Sequence, residues 1–251
     1  MERLIHWTAD AFQTKVCAKF RMLLGWVRIM KPMSIFQKAA LALPFLAAAL
    51  AIYPAAEPLA ADANAGAQIV AQGTKSGGVA CARCHGFDGM ADGSGAFPKL
   101  AGQSAEYLES EMHAYVSGNR KNALMQPIAK GLNEAEIKAV AQYYAASHGT
   151  SVAPGAQPAE VIVRGQQVAK EGDPGANVLA CETCHGPNGQ GNPPIPYLAS
   201  QYRQYTVLQM QMYRQGLRKS DLMADLARNL REQDAVAVAA YYEQVARAAS
   251  K

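Results

Sequence analysis

The chain has 251 residues, 50% of them hydrophobic and 18% charged, a balance that excludes a disordered chain and a collagen-like repeat. Residues 1–63 hold seven Lys+Arg against four Asp+Glu, so the formal charge of +4 falls to 17 basic against 16 acidic side chains from Asn64 onward. That near-neutral remainder carries no electrostatic footprint for nucleic acid, and none is expected as a partner.

At the N-terminal end, Lys31 and Lys38 precede an uncharged run from Ala39 to Ala56, and Ala61-Asp62-Ala63 supplies the small-x-small pattern that a signal peptidase cuts. The run is Ala-rich and broken by Pro44 and Pro54, short of the roughly 20 strongly apolar residues a membrane span needs. Residues 1–63 therefore read as a leader with a secretory signal that is removed, an uncleaved anchor being the alternative. The stretch before it is long for a signal's basic region and carries His6, Trp7, Cys17 and Trp26, which places the true start at Met30 or Met33. If translated, Phe20 to Met30 with Arg21 and Arg28 suits a membrane surface.

Beyond the leader the sequence repeats itself. CARCHG at Cys81 recurs as CETCHG at Cys181, PKLAGQ at Pro98 as PYLASQ at Pro196, and VAQYYA at Val140 as VAAYYE at Val238. The offset is 100 at the cysteines and 98 from the prolines, so one two-residue deletion between His185 and Pro196 keeps the register. Two homologous halves follow, 64–150 and 161–251, joined by a linker at 151–160 that contains Pro154, Gly155 and Pro158.

Each half reads as helical. An opening helix ends near Gly73, with its partner ending near Gly172. A middle helix runs from Ser104 to Gly118, and its counterpart from Ser200 to Gly216, each closed by a glycine suited to the left-handed C-terminal position. In the last helix Asn133 and Glu136 form an Asx capping pair, and Ile137, Val140, Ala141 and Tyr144 make one apolar stripe. The second half repeats the stripe as Ala235, Val238, Ala239 and Tyr242, but Arg231 replaces Asn133, so its first turn is expected to fray. No alternating strand pattern occurs, and the fold class is all-α. Units this small bury little apolar surface and need a disulfide, a metal or a cofactor as extra core.

The cysteine motifs select among these. Two cysteines three apart present both thiols to the two vinyl groups of one haem, and a histidine directly after the second places its imidazole over the iron. Cys81, Cys84 and His85 fit this, as do Cys181, Cys184 and His185. A four-cysteine zinc site has its pairs about 15–20 residues apart, whereas 96 residues separate Cys84 from Cys181. A thioredoxin-like pair needs a βαβ setting. Two covalently bound haem c groups are expected.

A haem iron held by one histidine needs a sixth ligand or keeps an open face. Methionines recur in register twice, Met112 with Met210 and Met125 with Met223. The first pair falls in the apolar stripe of the middle helix, where core packing explains it. The second lies seven residues after Gly118 and Gly216, in what read as polar or irregular connections, so Met125 and Met223 are the expected axial partners of His85 and His185. His113 and His148 have no equivalents in the second half and are expected at the surface.

These residues together resemble a tandem class I cytochrome c, and the two-haem layout resembles the cytochrome c4 family over nearly all of Asn64 to Lys251. The resemblance implies that Pro98 and Pro196 offer backbone carbonyls to the ring N–H of His85 and His185, fixing each imidazole. It also implies that Gly66 packs against Tyr143 or Tyr144, and Gly165 against Tyr241 or Tyr242. Met125-Gln126-Pro127 becomes Met223-Ala224-Asp225 in the second half, a loop without the stiffening proline. Arg120 and Arg218 match in register, either paired with haem propionates or solvated.

The function this implies is a periplasmic two-haem electron carrier, possessing no catalytic residues and in peripheral contact with the membrane. Its expected partners are a quinol-oxidising cytochrome bc-type complex and a terminal oxidase or other reductase. The alternatives are a dihaem subunit of a dehydrogenase, such as a sulfide-oxidising flavoprotein, and a catalytic dihaem peroxidase or thiosulfate-oxidising enzyme.

Overall fold

The computed structural model describes residues 58–74, 78–149 and 153–247, with side chains from Asn64 onward. The readings made on residues 1–57, including both candidate starts and the apolar run, lie outside the described residues. Ten α-helices follow in chain order among the described residues: α1 Pro58–Gln72, α2 Ala82–His85, α3 Ala105–Ser117, α4 Met125–Lys130 and α5 Glu134–Ala146 in the first half. The second half contributes α6 Ala159–Glu171, α7 Glu182–His185, α8 Arg203–Arg214, α9 Asp221–Asn229 and α10 Glu232–Gln244. Among the described residues there are no strands, only three isolated bridges.

The opening and closing helices of each half cross, and a glycine sets how closely. A Cβ on Gly66 would stand 2.4 Å from the Ala139 carbonyl oxygen and 3.1 Å from Tyr143 Cβ. On Gly165 it would stand 2.0 Å from the Ala237 oxygen and 2.9 Å from Tyr241 Cβ. Of the two tyrosines considered at each site, the first of the pair is thus the one the glycine faces. The second turns inward: Tyr144 and Tyr242 are fully buried, at 1% and 0% exposure.

Tyr144 packs with Ile69, Val70, Leu108, Val140 and Ala141, and Tyr242 with Val168, Ala169, Val178, Leu230, Ala235, Val238 and Tyr241. At roughly 1.5–3 kcal/mol per large apolar side chain, such short lists are small cores for units of this length.

Two sequence expectations change. The connections carrying Met125 and Met223 are helical, not irregular. Asn122 Oδ1 accepts from the backbone N–H of Leu124 and Met125, both at 2.9 Å, and so starts α4. Ser220 Oγ accepts from Met223 N–H at 3.4 Å in α9. Pro127 falls in the first turn of α4, where its missing N–H has no partner to lose. Helices this short present too few turns for periodicity to register, and only the caps betray them.

The second correction concerns α10. Arg231 makes no side-chain cap, as expected, yet the first turn is not left loose. Asp234, 2% exposed, accepts from Arg164 Nε and Arg231 Nε, each at 2.7 Å. A carboxylate in the first turn also faces the positive end of the helix dipole. An ion cluster thus replaces the capping box of α5, which is itself intact: Asn133 Oδ1 accepts from Glu136 N–H at 3.0 Å and Glu136 Oε2 from Asn133 N–H at 2.9 Å.

The two halves dock directly. Lys121 N–H donates to the Leu217 carbonyl and Lys219 N–H to that of Asn119, both at 2.8 Å, closing an antiparallel bridge between Arg120 and Arg218. Tyr202 Oη donates to the Met90 carbonyl, and the Arg247 guanidinium donates to those of Ala101 and Gly102.

Candidate functional site

Each Cys-x-x-Cys-His string folds as a single helical turn. His85 N–H reaches the Cys81 carbonyl at 3.0 Å, and His185 N–H that of Cys181 at 3.0 Å. Residues three apart share a helix face, so both cysteines of a pair point the same way while the histidine turns inward. Gly86 and Gly186 then leave the turn at φ of 74° and 76°, a conformation that a side chain would strain.

Both histidines are buried, and each ring is held. His85 Nδ1 donates to the Pro98 carbonyl at 3.3 Å and His185 Nδ1 to that of Pro196 at 2.8 Å. Burial lowers both imidazole pKa values, and the carbonyl bonds only partly offset it. The rings are therefore neutral, with Nδ1 carrying the proton and Nε2 facing away from the carbonyl, the form in which imidazole binds a metal.

The four cysteines form no disulfide with one another and are half-buried. Burial pushes the Cys81 and Cys181 thiols up to about 11, which keeps both protonated at neutral pH. No group of three or more His, Cys, Asp and Glu among the described residues could hold a metal ion. Val79 with Leu179, and Leu124 with Leu222, stand exposed at matched positions beside the motifs and the methionines. Paired apolar side chains left in water are what a large flat apolar group would cover.

Met125 opens α4 and Met223 lies in the first turn of α9, each half-buried. Met210 packs against the core of the second half, in keeping with its expected role, and Met112 is likewise half-buried within α3. His113 and His148 are exposed.

Arg120 and Arg218 are not solvated; they are 4% and 6% exposed. Arg120 donates to Glu111 Oε2 at 2.5 Å, Tyr205 Oη at 2.6 Å and Gln209 Oε1 at 2.7 Å. Arg218 donates to Glu111 Oε1 at 2.6 Å, Tyr107 Oη at 2.8 Å and Gln209 Oε1 at 3.1 Å. Each guanidinium also lies 4.7 Å from the centre of a tyrosine ring, Tyr115 and Tyr213 respectively. Two buried cations share one carboxylate, and the Nε of each has no acceptor. A buried N–H left without a partner is costly, so this cluster fits an additional anion such as a haem propionate. Burial, donor chemistry and these orphaned N–H groups together fit a haem in each half.

Sequence reasoning missed the residues that join the halves. Glu111 and Gln209 occupy the same repeat position, as do Tyr107 and Tyr205, and Gln103 and Gln201. The glutamines stood in plain view at the end of the PKLAGQ and PYLASQ strings. Their only signal was identity in register.

Comparison with known proteins agrees with this geometry. The family model described as Cytochrome c matches residues 63–145 and again 162–246. The thiosulfate dehydrogenase electron acceptor of Stutzerimonas stutzeri is 37% identical over 190 residues, covering 74% of this chain and 88% of that one. Cytochrome c4 of Thiocapsa roseopersicina is 34% identical over 197 residues, covering 76% and 96%. Among solved structures, a thiosulfate dehydrogenase from Marichromatium purpuratum superposes with a TM-score of 0.67 at 33% identity. The match covers 75% of this chain and only 42% of that longer one.

Proposed function

This chain belongs to the cytochrome c family as a tandem two-haem member similar to cytochrome c4, and from that premise we propose that it is an exported, periplasmic electron shuttle with both irons closed by histidine and methionine. Each haem c, when bound, supplies one reversible one-electron step at its iron. Cys81 with Cys84, and Cys181 with Cys184, hold the two groups as thioethers. His85 and His185 present Nε2 while Pro98 and Pro196 fix their rings. Met125 and Met223 would supply a thioether sulfur to the two irons, and Arg120 and Arg218, whose buried Nε–H groups lack partners, would be available to haem propionates.

The observation that carries this reading is duplication of the whole set. Each half has its own buried neutral histidine, its own carbonyl partner and its own capped methionine. With histidine and methionine both held by each iron, the chain would suit transfer of electrons over turnover of a substrate. The proposed flow is from a quinol-oxidising cytochrome bc-type complex toward a terminal oxidase or other reductase, with transient docking at a membrane surface. No helix among the described residues is long and apolar enough to cross a membrane.

A second reading of the donor has a specific support: similarity to a thiosulfate dehydrogenase electron acceptor extends over 88% of that protein. Stopped-flow reduction by a bc-type complex with quinol, set against a thiosulfate dehydrogenase with thiosulfate, separates the two. The faster saturating donor is the physiological class. Carbon monoxide should bind the ferrous protein poorly at neutral pH; rapid binding, with peroxide or thiosulfate turnover by the isolated chain, would make it an enzyme instead. The exported chain is expected to begin at Asn64, which N-terminal sequencing checks.

A further inference from the structure

The carbonyl that holds each histidine belongs to a peptide unit whose other end is held by the opposite half. Pro98 C=O and Lys99 N–H form one amide. Its oxygen accepts from His85 Nδ1 at 3.3 Å, and its N–H donates to Gln201 Oε1 at 3.0 Å. Gln201 Nε2 then donates to the Lys99 carbonyl at 3.0 Å, and Tyr202 N–H donates to Gln201 Oε1 at 3.0 Å, which fixes which end of the side-chain amide faces the peptide.

The mirror arrangement serves the other site. The Pro196–Tyr197 amide accepts from His185 Nδ1 at 2.8 Å and donates to Gln103 Oε1 at 3.3 Å. Gln103 Nε2 donates to the Tyr197 carbonyl at 3.4 Å, and Ser104 N–H donates to Gln103 Oε1 at 3.0 Å. Both glutamines are 5% exposed. A buried amide with every atom engaged is oriented in one way only.

An amide whose N–H is hydrogen-bonded is more polarised, so its oxygen accepts more strongly. A stronger acceptor at Nδ1 makes the imidazole a more electron-rich ligand at Nε2. We propose that Gln201 is a positioning residue for His85 and Gln103 one for His185, so that each half sets the potential of the haem iron in the other through a crossed relay of hydrogen bonds. The inference rests on the reading of His85 and His185 as axial ligands, and extends it.

The test uses the full two-haem protein. Gln201→Met and Gln103→Met remove the amide at nearly unchanged length. In a Cys81→Ala background the first haem keeps one thioether and gains its own absorption position, so the two haems titrate at separate wavelengths. Gln201→Met should favour reduction of the first haem by about threefold to tenfold, a rise of ~30 to ~60 mV at ~59 mV per tenfold for one electron, with the second haem little moved. Gln103→Met should move the second haem, and by less, its bonds being longer. Gln201→Asn should reproduce the direction if the Met variant does not fold.

Shifts confined to the variant's own half, equal shifts in both, or none would overturn the relay. Tyr202→Phe, which removes the bond to the Met90 carbonyl and spares both glutamines, should leave the potentials in place. An equal shift there would assign the effect to docking and overturn the relay as well. A wild-type ferric spectrum lacking histidine and methionine ligation sinks the ligand reading, whereas a normal spectrum without crossed shifts sinks the relay alone.

Discussion

The two halves repeat the same proposed haem residues and differ in the charges around them. Every residue proposed to serve a haem recurs: two cysteines, histidine, proline, methionine, arginine. The differences gather elsewhere. Glu111 of the first half faces Gln209 of the second, Ala82 within the first motif becomes Glu182 within the second, and the Asn133 capping box becomes the Arg164–Asp234–Arg231 cluster. Glu182 Oε1 is buried without a partner, a polar oxygen that has no counterpart in the first half. Covalent chemistry and ligation tolerate little change, whereas a charge a few ångströms away alters the electrostatic cost of oxidation and leaves the haem attached. Two sites of one design can thereby be held at different potentials.

The largest way to break the likeness is to remove one methionine. Met125→Ala should leave the haem attached through Cys81 and Cys84 while abolishing the ferric methionine charge-transfer band of that site. The potential should fall by on the order of 0.1 V, within the ~0.8 V range that axial ligands command. Redox titration with near-infrared absorption checks it, and loss of the band in Met112→Ala instead would reverse the assignment. Met223→Ala is the parallel case in the second half.

Next in size is the Glu111→Gln variant, which makes the interface symmetric and leaves the two buried guanidiniums without their shared protein carboxylate. Breaking a buried pair in this way should cost about 3–5 kcal/mol by chemical denaturation. The pH dependence has a definite sign. Burial pushes the Glu111 carboxyl up, but Arg218 and Arg120 pull it further down, leaving it below its ordinary 4.5. A depressed carboxyl adds stability in full above its unfolded value and loses it as pH falls through its folded value. The wild-type advantage over Glu111→Gln should therefore be constant from neutrality to about pH 4.5 and vanish only below it.

The smallest effects sharpen the comparison at the last helix. Asn133→Ala removes the side-chain acceptor of Glu136 N–H, leaves the backbone N–H of residue 133 to Glu136, and should cost about 1 kcal/mol. Arg231→Ala removes an exposed partner from Asp234, which keeps Arg164, and should cost between about 0 and 1 kcal/mol. Thermal unfolding of the two variants side by side measures the difference.

The haem motifs and the register of Met125 with Met223 were legible because each depends on a few residues at fixed separation, whereas the role of Pro98 and Pro196 came only through the family resemblance. The crossing glycines likewise came through the resemblance, and only the packing shows that Tyr143 and Tyr241 face them while Tyr144 and Tyr242 fill the cores. What stayed hidden requires residues roughly a hundred positions apart to meet. Arg120 could be read as solvated until Tyr205 and Gln209 were seen against it, and no local pattern joins Gln201 to Lys99. Short helices such as α4 escaped for a different reason, since six residues make fewer than two turns.

The buried arginine cluster also bears on what each half could do alone. A face bearing Gln103, Tyr107, Glu111 and Arg120 is self-complementary: two copies about a twofold axis would set two guanidiniums against two carboxylates. Two copies of the second half, with Gln209 in place of Glu111, would set two guanidiniums against none. The fused chain sits between these cases, an ion-balanced homodimer contact with one carboxylate exchanged for an amide, and under the proposed contacts the haem propionates would supply the missing negative charge. Severed halves should accordingly part ways in solution, the first able to pair with itself and the second repelled from its own kind.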